Sequence, residues 1–312
     1  MTTAPDRTLH VNELPIDTTL VQALLDRDCP ELAHLPLSRL HSTGSTNVMF
    51  RLGDHLAVRL PRQIGGGVDI AKEFRLAPLM SDALAVAVPD IIALGHPGFG
   101  YPEPWSVTAW LPGDHPLAAH PEQLDGVDRR PLAADLADVV TALRQLDPPQ
   151  PVPADLRWYR GGPLSAVDAQ VRKALAACRT LAGLDLDLGR AEMFWELSLQ
   201  LPGADRPEPD RWFHGDLVAE NLLVREGRLS GVLDFGATSV GDPTIDLHGA
   251  WEILDAPARE VFAHRLGVEE AEWLRGRAWA LAIALLAIAD YWHTMPTRRD
   301  DRIAMAQNVL TD

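Results

Sequence analysis

The chain is poor in cysteine: only Cys29 and Cys178 occur in 312 residues. Neither belongs to a paired-cysteine or cysteine/histidine spacing, which excludes a disulfide framework and a structural zinc motif and fits a reducing compartment. Basic charge is also scarce. Lys and Arg total 28 against 44 Asp and Glu, a net charge of −16. That balance argues against a nucleic-acid partner and favours cationic ones by long-range attraction. The deficit is uneven, −4 through Trp110 and −12 in the remainder. Long apolar runs are missing. The most apolar stretch, residues 278–289, lies between Arg277 and Asp290, too short for the roughly 20 residues that cross a bilayer. It reads as a buried core helix, and no membrane partner is expected. The opening Met1-Thr2-Thr3-Ala4-Pro5-Asp6 has no basic segment leading into an apolar one, so the expectation is a cytoplasmic protein without a signal peptide. Internal repeats, low-complexity tracts and two-histidine metal spacings are absent too.

What remains is ordinary globular material, 46% hydrophobic and 23% charged, with length enough for two lobes. The spacing predicts a helix over residues 12–27 capped by Asp17, then strands at 37–41, 48–52 and 55–60 with a small polar tip at 42–47. A helix is expected from Asp69 to Leu84, and further strands at 89–94 and 105–111. Between them, Gly65-Gly66-Gly67 lacks the Gly-Lys-Ser/Thr tail of a phosphate loop and reads as a flexible linker. After Pro112-Gly113 the pattern turns helical. Pro131 opens a helix, prolines 148–153 break the chain, and Trp158-Tyr159-Arg160-Gly161-Gly162-Pro163 leads into another helix along 164–181. A short helix over 192–201 follows, and helices are expected at 247–253, 256–266, 268–275 and 278–293.

The most informative stretch runs from Trp212 to Gly236. A loop enters a short strand ending near Val224, Glu226-Gly227-Arg228 makes a turn, and Gly231 to Gly236 forms a second strand. Such a hairpin is expected to gather Asp216, Asn221 and Asp234 near one point. Phosphoryl transfer needs a set of this kind: one carboxylate to orient an attacking hydroxyl, and an amide oxygen and second carboxylate for Mg2+.

His214-Gly215-Asp216, four residues, Asn221, then a strand ending Asp234-Phe235-Gly236 resembles the catalytic core of aminoglycoside phosphotransferases. Macrolide phosphotransferases and choline-kinase-like enzymes share the pattern, and protein kinases carry a related pair of triplets. Gly215 and the later Gly241-Asp242-Pro243-Thr244-Ile245-Asp246-Leu247 look like the antibiotic-kinase branch. The resemblance implies an α+β, bilobal, protein-kinase-like fold. Residues 1–110 would form a small nucleotide-binding lobe of antiparallel sheet plus helix, and residues 111–312 a larger, mostly helical lobe with the catalytic hairpin and acceptor region.

The activity it implies is transfer of the γ-phosphoryl of ATP or GTP to a hydroxyl of a small molecule, with Mg2+. Asp216 would orient and deprotonate that hydroxyl, and Asn221 and Asp234 would hold the metal. Gly44, Ser45, Thr46 and Asn47 would cover the phosphates, although the full kinase glycine pattern is missing. The nucleotide base would pair with backbone at Ala109 and Leu111. Arg59 stands where such enzymes usually carry Lys, with Glu73 as its partner; an Arg keeps the charge but adds bulk and a bidentate fork. His214 is expected to be structural, Asp242 to lie near the metal and Asp246 to anchor the catalytic loop.

The leading acceptor implied is a cationic aminoglycoside, with Glu252, Asp255 and Asp290 as candidates for its ammonium groups and antibiotic resistance as the consequence. A macrolide or a small metabolite is the alternative. A protein substrate is disfavoured because no activation segment separates Gly236 from Asp242. A reading of another class, a non-catalytic nucleotide-binding module, draws on Arg59; the presence of all three polar groups weighs against it.

Overall fold

The structure, a computed structural model, describes residues 9–10, 12–40, 44–116, 127–205 and 209–312. Part of the strand expected at 37–41 and of the polar tip at 42–47, namely His41, Ser42 and Thr43, lies outside the described residues. The chain divides into two compact units: residues 1–82, 87–112 and 233–236 form one, and residues 83–86, 113–232 and 237–312 the other.

The first unit holds helix α1 (Thr18–Asp28), strands β1 (Leu37–Arg39), β2 (Asn47–Leu52) and β3 (Leu56–Pro61), helix α2 (Gly67–Ala83), and strands β4 (Ile91–Gly95) and β5 (Trp105–Ala109). The strands make one antiparallel sheet in the order β1-β2-β3-β5-β4. Asp17 caps α1 as expected, accepting the Leu20 N–H at 2.8 Å. Residue alternation in the strands decides the layers. Val48, Phe50 and Leu52 of β2 and Val58 and Leu60 of β3 join Leu24 and Leu25 of α1 in one buried cluster. Arg59 lies between Val58 and Leu60 and so points to the opposite face. On α2 the buried positions Ile70, Glu73, Ala77 and Met80 follow helical spacing, which sets Glu73 on the inward stripe.

The Gly65–Gly67 segment is not the free linker expected. Glu103 is buried and accepts the N–H groups of Gly65 and Gly67, each at 2.9 Å. A carboxylate thus occupies the start of α2, where a phosphate loop would receive an anion. A Cβ at Gly67 would meet Pro104 at 2.3 Å.

The second unit is mostly helical: α3 (Arg130–Gln145), α4 (Asp168–Cys178), α5 (Leu188–Ser198), then strands β6 (Arg211–Phe213), β7 (Leu222–Arg225), β8 (Arg228–Val232) and β9 (Ser239–Gly241), and helices α6 (Gly249–Ile253), α7 (Ala256–Leu266), α8 (Glu270–Tyr291) and α9 (Pro296–Thr311). β7 and β8 form the expected hairpin, and β6 pairs with β9. Two expectations change. The helices expected at 268–275 and 278–293 are the single helix α8. Gly276 is no break: a Cβ there would lie 2.4 Å from that of Leu247, so the absent side chain lets α8 approach this buried leucine. The second strand of the hairpin stops at Val232, and Asp234 takes a left-handed conformation, φ 61°. Among the described residues no helix is long and apolar enough to cross a membrane.

Candidate active site

In the second unit, β6 delivers the chain into a loop held from below by Asp246. The two carboxylate oxygens of Asp246 accept the N–H groups of His214 and Gly215, both at 2.7 Å, in a buried setting. Asp246 therefore does anchor the loop. Gly215 has φ 83°, and a Cβ there would stand 3.0 Å from the Trp158 ring, so glycine answers both demands. His214 accepts the Asp216 N–H on Nδ1 at 3.2 Å. That nitrogen's lone pair is committed to the loop, which suits a structural histidine.

Asp216 and Asn221 are brought together. Asn221 Nδ2 donates to the Asp216 carbonyl at 2.9 Å and to its Oδ2 at 3.0 Å. The other carboxylate oxygen, Oδ1, accepts from Arg160 Nη1 at 2.5 Å. Burial pushes the Asp216 carboxyl up, but the Arg160 guanidinium outweighs it, and the carboxyl is held down at about 2. His248 completes the surroundings. Its Nδ1–H donates to the Ile245 carbonyl, which leaves Nε2 as a buried acceptor with no partner among the described residues. Burial drives this imidazole down to about 3, so it is neutral near pH 7.

A second layer fixes the loop. Glu220, beside Asn221, pairs with Arg298 of α9. Arg302, one turn on, pairs at 2.5 Å with Glu252 of α6 and lies 3.9 Å from Glu220. Glu252 is 2% exposed. Its Oε1 is therefore committed to the buried Arg302. Asp255 caps α7, accepting the Ala258 N–H at 3.0 Å. Asp290, the third expected carboxylate, is exposed on α8. Asp242, expected near the metal, caps the turn at Thr244 and meets Arg275 at 3.2 Å.

In the first unit, Arg59 is the centre. Nη1 lies 2.6 Å from Glu73 Oε2, and Nη2 lies 3.0 Å from Asp234 Oδ1. Glu73 Oε1 also accepts the Phe235 N–H at 3.1 Å. Burial works against the Arg59 charge, but Glu73 and Asp234 more than restore it and raise its pKa. Of the loop expected to cover phosphates, Ser45 is buried and its carbonyl meets His10 Nε2 at 3.0 Å; Thr46 is exposed, its carbonyl accepting the Arg62 N–H; Gly44 precedes them, and Asn47 opens β2 opposite Pro61. The Ala109 N–H is taken by the Asp90 carbonyl at 2.8 Å. A base edge at this position would have to use the Ala109 carbonyl and the Leu111 backbone.

Asp234 of the first unit and Asn221 of the second each carry oxygens of the hard type that Mg2+ takes. Among the described residues no group of three His, Cys, Asp or Glu forms a protein-only metal cage, and Mg2+ on a nucleotide takes only one or two protein oxygens, with phosphates and water completing the shell. Asp234 keeps a third of its side chain exposed with one oxygen on Arg59, and Asn221 spends its amide nitrogen on Asp216. Each retains a hard oxygen for a cation.

The sheet-and-helix first unit and the helical second unit with its Asp216–Asn221 loop make a kinase-like α+β fold. The chain belongs to the phosphotransferase enzyme family APH, whose model matches residues 38–279. No curated protein matches it by sequence. Among solved structures it is similar to the GDP and kanamycin complex of APH(2'')-IIIa, at 17% identity over 94% of this chain and 98% of that one, with a TM-score of 0.69. The streptomycin–ATP ternary complex of APH(2'')-IIa is similar at 18% identity over 89% of each chain, TM-score 0.59. Macrolide 2'-phosphotransferase MphH from Brachybacterium faecium is similar at 22% identity over 93% of this chain and 98% of that one, TM-score 0.57.

Arg160, Arg302 and His248 were not singled out by the sequence pattern. A signal for Arg160 existed: an aromatic pair, then Arg before Gly-Gly-Pro, marks a stiff turn that aims a side chain.

Proposed function

We propose that the chain transfers the γ-phosphoryl group of ATP or GTP to a hydroxyl of a small molecule. The observation that carries this is Asp216: an ionised carboxylate, clamped on one oxygen by Arg160 and on the other by Asn221, at the position the family gives to its catalytic aspartate. The acceptor hydroxyl hydrogen-bonds to Asp216. As its oxygen bonds to the γ-phosphorus, the bond to the β-bridging oxygen breaks, the proton passes to Asp216 and the nucleoside diphosphate leaves. A carboxylate held near 2 is a weak base. It therefore orients the hydroxyl first and takes the proton only as the oxygen loses electron density.

Arg59, kept charged by Glu73, offsets phosphate charge, and residues 44–47 cover the phosphates. Asn221 and Asp234 would hold Mg2+, which would neutralise phosphate charge. The base meets the Ala109 carbonyl and the Leu111 N–H. Neighbouring structures carry GDP or ATP, which supports nucleotide use without choosing between purines. The reading goes with a cytoplasmic enzyme, where these nucleotides are abundant and the thiols Cys29 and Cys178 stay free.

An aminoglycoside acceptor, and with it a resistance role, is supported by the kanamycin and streptomycin bound to neighbours. Against it stand the internal partners of Glu252 and Asp255. The test is nucleoside-diphosphate release with Mg2+, ATP and GTP taken separately, over aminoglycosides, macrolides, sugars and amino alcohols. Acceptor-dependent release supports the transferase; tight nucleotide binding without release over the whole panel supports the binding module.

A further inference from the structure

Among the described residues, five carboxylates around the Asp216 loop are already matched within the second unit. Asp216 is paired with Arg160, Glu220 with Arg298, Glu252 with Arg302 and Asp242 with Arg275. Asp246 spends both oxygens on backbone N–H groups. None of these five carboxylates is left over as an anionic seat beside Asp216. The pair Asp216–Arg160 is neutral as a unit, and a cationic acceptor gains no ion pair from it.

Arg160 is built into this place with care for its direction. Its Nε donates to the Tyr159 hydroxyl at 3.0 Å, and its Nη1 donates to the Gly215 carbonyl at 3.1 Å as well as to Asp216. The guanidinium lies 4.7 Å from the Trp158 ring centre and 5.7 Å from that of Tyr159. The next residue locks the backbone. Gly161 has φ 86°, its carbonyl accepts the Asp242 N–H at 2.8 Å, and a Cβ there would sit 2.3 Å from the Phe213 ring. Nη2 is the exception to this engagement. It makes no hydrogen bond among the described residues, while 18% of the side chain remains exposed. A fixed guanidinium with two unspent N–H donors, next to the carboxylate that receives a hydroxyl, is a recognition element for oxygen.

The geometry points to Arg160 as the acceptor-selecting residue: its Nη2 binds an oxygen of the substrate adjacent to the hydroxyl held by Asp216. This rests on the phosphotransferase reading and sharpens it. The acceptor is an alcohol whose reacting hydroxyl is flanked by a hydroxyl, carbonyl or carboxylate oxygen. An alcohol flanked by an ammonium group meets a like charge and offers no acceptor, so it is rejected. By this criterion the substrate class is a neutral or acidic polyol or sugar, not an amino sugar.

The experiment uses one ring with one group varied: glucose, N-acetylglucosamine, glucuronate and glucosamine, with kanamycin as a polycation. Each is measured for binding by ligand-observed NMR and for turnover with Mg2+ and either nucleotide, on wild type, Arg160→Gln and Arg160→Lys. Wild type is expected to favour the neutral or acidic members over glucosamine and kanamycin by about tenfold or more, the worth of one charge-assisted hydrogen bond. Arg160→Gln is expected to erase that preference, chiefly through KM, and Arg160→Lys to restore it in part. Equal or better use of the amino members by wild type overturns the proposal, as does a binding profile, including no binding at all, that is the same in wild type and Arg160→Gln. Failure of the underlying reading looks different: neither nucleotide is turned over, with the panel or with water, and Asp216→Asn behaves as wild type.

Discussion

Arg59 reaches two carboxylates far apart in sequence, Glu73 at 2.6 Å and Asp234 at 3.0 Å. A lysine would carry the same charge as a single point, without the planar fork that meets the two from separate nitrogens. Replacing Arg59 by Met would leave Glu73, 4% exposed, without its cation. The expected loss of stability is about 3–5 kcal/mol, the usual result of removing one partner from a buried pair. Nucleotide affinity should fall about tenfold or more with it, and Arg59→Lys should lie between. Thermal melts with and without nucleotide check this; a Met variant as stable as wild type would deny the pair its role.

Gly276 gives a prediction opposite in sign to helix propensity. Alanine inside a helix usually gains about 0.5–1 kcal/mol over glycine. Here the new Cβ would enter the space of Leu247, a fully buried side chain. Overpacking should make Gly276→Ala less stable by about 1–3 kcal/mol. Denaturant titration reads the sign directly, and a gain would show that α8 and Leu247 are not in close contact.

His248 predicts acid lability. The folded imidazole sits at about 3 because it is buried, whereas an unfolded one titrates near about 6.5. Between these values the unfolded chain holds the extra proton. Stability from this residue is thus complete above the unfolded value and falls as pH is lowered through the window, on the order of 1.4 kcal/mol per pH unit. His248→Asn should flatten the slope of stability against pH below 6.5 by about that amount. An unchanged slope would place the loss elsewhere.

Glu252 and Asp255 separate structure from substrate. Glu252→Ala would strand Arg302 in a buried site and should cost about 3–5 kcal/mol, whereas Asp255→Ala removes a helix cap worth about 1 kcal/mol. Neither should change KM for an acceptor in a properly folded preparation. A selective rise in KM with unchanged stability would return them to the acceptor site.

Most of this fold could be read in advance because its signals are local. Asp17 caps α1, the Glu226-Gly227-Arg228 turn closes the hairpin of β7 and β8, and α7 runs over the residues its pattern marks. Asp216 and Asn221 were legible as a pair because a short loop joins them. What stayed hidden depends on contacts between distant segments. Gly276 looks like a helix stop until Leu247 lies against it. Glu252 looks like a surface carboxylate until α9 brings Arg302 to it, and Gly65–Gly67 looks free until Glu103 is placed. Arg160 stands 56 residues before Asp216, and only the fold brings the two side chains together.

The central claim is that Asp216 serves the transfer step and not the binding of nucleotide. The most direct measurement pairs Mg2+-nucleotide affinity with nucleoside-diphosphate release for wild type and Asp216→Ala. The account predicts affinities within about threefold of each other and release reduced by about a thousandfold or more, in the range seen when a group acting in the transition state is removed. Wild-type release in Asp216→Ala, with acceptor present, would contradict it.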